Sequence, residues 1–118
     1  MGISIQDILE SAEMRTEFLR ILRTLAIRAL NNTQILILRK LQMEYVKERI
    51  NSDENGKSLN AILEDIGRRH KKSLSTLKMN AKVLKELGLI EYGEKHERKP
   101  VKLTDMGMAI LELLEVVE

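Results

Sequence analysis

Cysteine and tryptophan are absent from this 118-residue chain, and proline occurs once. Without cysteine the chain can form neither a disulfide framework nor a thiolate metal site, and an intracellular setting is the default. No apolar run approaches the roughly 18 residues of a membrane-spanning helix. The opening stretch MGISIQDILE has acidic residues where a signal peptide has a basic segment followed by an apolar core. These absences predict a cytoplasmic protein that has no membrane partner.

The sequence also lacks the residue groupings on which most active sites depend. His70 and His96 are 26 positions apart and have no neighbouring ligands at metal spacing. Glu64 and Asp65 are adjacent, so on a helix they point to different sides. We therefore expect no enzyme activity, no catalytic residue, no metal and no cofactor. With three aromatic residues in all, the sequence identifies no small-molecule effector.

What the chain has is apolar residues at helical spacing. Apolar residues make up 43% and charged residues 32%, which fits one folded domain over residues 1–118. Residues 4–31 are predicted to form a long helix, or two shorter ones that meet near Arg15. Between Phe18 and Leu30, 9 of 13 residues are apolar. This exceeds the apolar stripe of a one-sided surface helix and indicates a dimerisation surface.

The C-terminal helix, predicted over residues 105–118, has the same surplus of apolar surface. Its glutamates recur every third residue, which confines charge to one narrow side. We expect the two ends of the chain to pack together and across a symmetric homodimer. The alternative is that both helices bury only against the core of their own monomer. The residues predicted for the dimer interface are Phe18, Leu22, Leu25, Ala29, Ile110 and Leu114.

Residues 32–104 read as a series of helices followed by a hairpin. Ala61, Ile62 and Ile66, with His70 as a further candidate, are predicted to be the core face of one helix, and Ser73 to cap the next. The buried stripe of that next helix is predicted to comprise Leu77, Ala81, Leu84 and Leu87, ending at Gly88. Residues 57–59 read as a possible short strand, and two strands are predicted on either side of a polar turn. The fold class is mainly α with a small β-hairpin (α+β), in the order of a winged helix-turn-helix.

Positive charge is concentrated in one third of the chain. Residues 68–102 contain 11 Lys or Arg and 4 Glu, a net charge of +7, whereas the remainder contains 9 and 14, a net charge of −5. This is the pattern expected when one face meets a polyanion, although a solvated lysine-rich surface has the same composition.

The run IGRRHKKSLSTLKMNAKVLKELGLIEYG, followed by VKLTDMGMAIL, resembles the helix-turn-helix and wing of MarR-like winged-helix transcriptional regulators. The resemblance covers roughly residues 31–113, and KELGLIEYG and LTDMG are its most specific segments. This chain departs from the pattern in the turn, where it has His70, Lys71 and Lys72 in place of Leu-Gly-Val. The resemblance implies a homodimer with a recognition helix at about 73–87 in the major groove and a wing at about 93–100.

The helical period turns several polar residues of the recognition helix away from its apolar stripe. Asparagine can pair with adenine, lysine with guanine, and methionine with a thymine methyl group. The residues predicted to read bases are Thr76, Lys78, Met79 and Asn80. Those predicted to bind phosphate are Arg68, Arg69, Lys71, Lys72, Ser73, Ser75 and Lys82. The wing residues predicted to contact the DNA backbone or the minor groove are Lys95, His96, Arg98 and Lys99.

Together these observations predict a sequence-specific regulator of transcription that binds double-stranded DNA at a pseudo-palindromic site. We expect the regulator to repress transcription, because the sequence shows no activating surface. Two alternatives use the same fold: a winged-helix module that binds protein, and an architectural protein that binds DNA without sequence preference. Double-stranded RNA ranks lower, because its deep, narrow major groove resists an inserted helix.

Overall fold

The computed structural model describes residues 2–51, 56–93 and 99–115 of the chain. In these ranges it has six helices and one antiparallel pair of short strands, which confirms the mainly α class with a small hairpin. The elements are α1 (Ile5–Glu10), α2 (Ala12–Ala29), α3 (Asn32–Asn51), α4 (Leu59–His70), α5 (Leu74–Glu86), β1 (Ile90–Glu91), β2 (Lys102–Leu103) and α6 (Asp105–Leu114).

The N-terminal segment is two helices, and the break lies at Ser11, four residues before the predicted position. Ser11 has an extended backbone, and its side chain accepts a hydrogen bond from the amide of Met14, so it caps α2. One guanidinium nitrogen of Arg15 donates to the carbonyl oxygen of Leu9 at 2.7 Å. Arg15 therefore satisfies a carbonyl at the end of α1 across the break, whereas the break itself arises from the capping serine.

The core lies where α3, α4 and α5 pack against one another. Their fully buried side chains are Ile37, Leu38, Ile62, Leu63, Ile66, Leu77, Ala81 and Leu84. Three residues expected on this core are exposed, and one of them, His70, is the last residue of α4. Ala61 is exposed because α4 faces the core with Leu63, and Leu87 is exposed because α5 ends at Glu86 and Leu87 follows it as the C-cap.

The turn between α4 and α5 forms without the glycine usual in the resembling sequences. Lys71 adopts the left-handed conformation, with φ of 53°, and it is the only non-glycine residue with positive φ among those described. The amide of Lys72 donates to the carbonyl oxygen of Gly67 at 3.2 Å, which closes α4 in a Schellman-type motif. A lysine thus takes a backbone conformation that glycine adopts more easily.

The hairpin pairs Ile90 with Leu103, and α6 begins immediately after it. Gly88, at φ of 81°, ends α5 as predicted, and Thr104 caps α6. A Cβ atom on Gly107 would lie 2.1 Å from the carbonyl oxygen of Leu89. Only glycine at position 107 therefore allows α6 to pack this closely against the segment just before β1. Residues 57–58 form no strand, although the amide of Val101 donates to the carbonyl oxygen of Lys57 at 3.2 Å.

The two ends of the chain meet where α2 packs against α6. None of the residues of α2 is buried. The Cα radius of gyration is 16.4 Å, compared with about 13 to 14 Å for a compact chain of this length. The first two helices therefore extend from the core instead of being covered by it.

Candidate nucleic-acid interface

The outward face of α5 carries two of the four predicted base-reading residues, Lys78 and Met79, and two residues predicted to bind phosphate, Ser75 and Lys82. Ser75, Met79 and Lys82 follow one another along the side opposite the buried stripe, and all three are exposed. Met79 has 67% of its surface accessible, so its apolar side chain is available to contact a partner. Lys78 is also exposed, at one edge of the same face. This face combines apolar contact with hydrogen-bond donors, as base edges in a major groove require.

Cationic side chains continue around the turn that precedes α5. Arg68, Arg69 and Lys71 are exposed and Lys72 is half-buried. From residue 68 to residue 86 the chain has seven Lys or Arg and a single acidic residue, Glu86, at the far end of α5. The positive charge lies beside the N-terminal half of α5, where a helix also presents its unpaired amides.

Asp65 connects this basic surface to the interior. Its carboxylate lies 2.6 Å from the Nζ atom of Lys40 and 3.3 Å and 3.7 Å from guanidinium nitrogens of Arg69 and Arg68. The hydrogen bond from Lys40 lowers the pKa of Asp65 from 3.8 to about 2, against the effect of desolvation. Because the two arginine side chains are largely exposed, their pairs with Asp65 are weak and leave them able to contact phosphate.

Lys40 and Glu44 are buried charges of α3 that sequence reasoning missed. The hydrogen bond to Asp65 raises the pKa of Lys40. Burial alone would raise the pKa of Glu44, but the hydrogen bond from Lys40 and the charge of Lys57 lower it overall. The resulting network holds α3 against α4. The two charges are four residues apart in sequence, a common surface pair, so only the packing of α4 identifies them as buried.

Ser73 caps α5, as predicted. Its hydroxyl accepts a hydrogen bond from the amide of Thr76 and donates to the Oγ1 atom of Thr76 at 2.8 Å. Both hydroxyls are therefore engaged with each other, although they remain at the surface. Ser75 is exposed one position further along, and its Oγ atom lies 3.4 Å from that of Ser73.

Asn80 has a different environment from the other predicted base readers. Its Oδ1 atom accepts hydrogen bonds from the Nδ2 atom of Asn31 at 2.9 Å and from the Nε2 atom of Gln34 at 3.2 Å. Its Nδ2 atom donates to the carbonyl oxygen of Thr76 at 2.9 Å. A bidentate pair with adenine needs both amide atoms of Asn80, so these contacts would have to break.

The energies argue against that exchange. Gln34 is only 6% exposed, and leaving its buried amide donor unpaired costs about 1 to 3 kcal/mol. A good bidentate base contact contributes about 1 to 3 kcal/mol of discrimination. The gain and the loss are of equal size, and Asn80 is accordingly a poor candidate for reading a base.

The sequence contains a signal for this placement. Asn80 is three residues after Leu77 and four before Leu84, which are both fully buried. Residues at those spacings lie on the same side of a helix. Asn80 therefore borders the buried stripe and faces α3, whereas Met79 and Lys82 face away from it.

Most of the predicted wing lies outside the described residues. Lys95, His96 and Arg98 fall in residues 94–98, which the structure does not describe. Lys99 is described and exposed. Beside the hairpin, the Nζ atom of Lys85 lies 4.3 Å from the ring centroid of Tyr92, so this tyrosine packs against a lysine at the strand.

The predicted dimer residues divide into two groups. Phe18 and Leu22 on α2, and Ile110 and Leu114 on α6, are half-buried at the ends of the chain that pack together. Leu25 and Ala29 are exposed, and Leu25 has 58% of its surface accessible. Further exposed apolar residues of α2 are Leu19, Ile21 and Ile27. The apolar surface of α2 is therefore larger than the part of it that α6 covers.

Two searches of the described ranges bear on other kinds of site. In residues 2–51, 56–93 and 99–115, no group of three or more acidic or histidine side chains is arranged to hold a metal ion. Over that same part of the chain, no helix combines the length and apolar character needed to cross a membrane.

Comparisons of the chain with protein-family models, curated proteins and solved structures found no match.

Proposed function

We propose that this protein is a homodimeric winged helix-turn-helix regulator of transcription that binds double-stranded DNA in a sequence-specific manner and acts mainly as a repressor. In this proposal α5 enters the major groove, and Lys78 and Met79 contact base edges. Lys71, Lys72 and Lys82 contact phosphates on either side.

The observation that carries the proposal is the composition of the exposed surface around α5. A helix face with Ser75, Lys78, Met79 and Lys82 exposed, next to a turn rich in Arg and Lys, matches a polyanion that has readable base edges. A face for a protein partner would tolerate acidic residues, and the N-terminal two turns of α5 contain none.

The order of the elements supports the winged-helix assignment. Two helices joined by a short turn, α4 and α5, are followed directly by the hairpin β1–β2. The hydrogen bond from the amide of Val101 to the carbonyl oxygen of Lys57 aligns the segment before α4 with the second strand. This hydrogen bond lies where residues 57–59 read as a possible short strand.

The homodimer is supported by the N-terminal helices. An 18-residue helix without one buried residue, whose exposed side chains include Leu19, Ile21, Leu25 and Ile27, leaves apolar surface in water. A second copy would cover this surface and would place two α5 helices on one DNA duplex. The resulting site is an inverted repeat whose half-sites are about one helical turn, or a multiple of it, apart.

A binding selection from random oligonucleotides at two salt concentrations tests the proposal. Enrichment of an inverted repeat would support it. Strong, salt-sensitive binding that enriches no sequence would replace it with an architectural role, and the absence of binding at either salt concentration would favour a protein-binding module.

A further inference from the structure

Three amide side chains connect α5 to the junction between α2 and α3. Asn31 and Gln34 cap the start of α3 reciprocally, because the amide of Gln34 donates to the Oδ1 atom of Asn31 at 2.8 Å and the amide of Asn31 donates to the Oε1 atom of Gln34 at 3.1 Å. The capping contacts use only the side-chain oxygens, so the NH2 group of each side chain can donate elsewhere. Both of these groups donate to the same oxygen, Oδ1 of Asn80, which is 46 and 49 residues away in sequence.

This network lies close to the proposed dimer helix. α2 ends at Ala29, and only the buried Leu30 and the capping residue Asn31 separate it from α3. The hydrogen bond from Asn31 therefore connects α5 to a residue that lies only two positions after the end of α2. Because Gln34 is buried, leaving its amide donor unpaired would be costly, which favours one fixed arrangement.

We propose that Asn80 is a positioning residue that fixes the orientation of α5 relative to the α2–α3 junction, and that this contact sets the half-site spacing the homodimer accepts. The inference rests on the proposed function, since it concerns how the two α5 helices are held on DNA. Asn80 acts through Asn31 and Gln34, while base contacts come from Lys78 and Met79.

The structure suggests a pair of substitutions that remove the donors and keep α3 capped. Asn31→Ser retains an oxygen that can accept from the amide of Gln34, and Gln34→Glu retains an oxygen that can accept from the amide of Asn31. Neither new side chain has an NH2 group to donate to Asn80. Asn32→Ser is the matched control, because Asn32 is an exposed asparagine in the same turn of α3 that makes no contact with Asn80.

The first measurement needs no DNA. A double-mutant cycle of Gln34→Ala and Asn80→Ala, followed by chemical denaturation, reports whether the two side chains are energetically coupled. We expect a coupling of about fivefold in the unfolding equilibrium constant, which corresponds to about 1 kcal/mol. Additive effects of the two substitutions would overturn the inference whatever the protein binds.

The second measurement compares binding to inverted repeats whose spacing changes in steps of 1 bp. A change of 2 bp rotates one half-site by about 70° around the duplex, so a rigid dimer should discriminate strongly between spacings. We expect the wild type and Asn32→Ser to prefer one spacing by about tenfold, and the Asn31→Ser/Gln34→Glu variant to lose most of that preference while it retains the same preferred bases.

Two results of the binding comparison would also overturn this role for Asn80. One is a spacing profile of the double variant identical to that of the wild type. The other is a change of preference at one base position in Asn80→Ala with an unaltered spacing profile, since that would make Asn80 a base reader. Coupling in the denaturation cycle without binding of the wild type to any repeat would instead refute the proposed function and, with it, the role in spacing.

Discussion

The proposed DNA binding should depend strongly on salt, because of the positive charges around α5. Arg68 and Arg69 pair only weakly with the carboxylate of Asp65, so they can add to the phosphate contacts of the lysines. The lysines assigned to phosphate on each protomer are Lys71, Lys72 and Lys82, whereas Lys78 is assigned to a base edge. A dimer that neutralises about six phosphates through these lysines should show a slope of about −5 in log K against log salt, and should lose about 10³-fold in affinity between 50 and 200 mM salt.

Lys82→Ala tests this reasoning at one position. Lys82 is exposed in the middle of α5, where alanine preserves the helix, so the substitution removes charge without disturbing the core. Because a dimer has two copies, the slope should become shallower by about 2 units, and the preferred sequence should not change. Fluorescence anisotropy of a labelled duplex during a KCl titration measures both the slope and the affinity.

Lys47→Ala is the control for nonspecific loss of charge. Lys47 is an exposed lysine of α3 that lies 3.8 Å from Glu44, outside the surface formed by residues 68–82. Lys47→Ala should leave the slope of log K against log salt unchanged. A wild-type slope shallower than about −2, or equal effects of the two substitutions, would refute the assignment of this face to DNA.

Three further predictions concern the dimer and the fold. Leu25→Glu should produce monomers in sedimentation velocity, because Leu25 has 58% of its surface accessible on the part of α2 that α6 leaves uncovered, so the new charge would meet the partner protomer; an intact Leu25→Glu dimer would place the interface elsewhere. Gly107→Ala should reduce the free energy of unfolding by about 1 to 3 kcal/mol, because the new Cβ atom would overlap the carbonyl oxygen of Leu89; unchanged stability in urea would contradict this close approach. The lowered pKa of Asp65 means that its ionised form stabilises the fold above pH 4 and that this contribution is lost as the pH falls towards 2. Asp65→Asn should therefore flatten the fall in stability over that range in acid titrations followed by circular dichroism, and an unchanged slope would show that Asp65 does not couple protonation to folding.

Local signals in the sequence determined the elements that surround the candidate interface. Ser73 was predicted as the cap of α5 and Gly88 as its end, because each supplies a group or a backbone conformation that a helix terminus needs within a few residues. The concentration of Lys and Arg after residue 67 likewise depends on sequence alone. These features require no knowledge of what packs against them.

Tertiary structure decided which face of each helix meets another helix. Asn80 borders the buried stripe of α5, and only the start of α3 supplies the two donors that engage it. Lys40 becomes a buried charge only because Asp65 of α4 lies 2.6 Å away. Such contacts join residues that are 25 to 49 positions apart. The periodicity of one helix indicates which side is apolar, but the partner of a polar residue at the edge of that side depends on the packing of the whole chain.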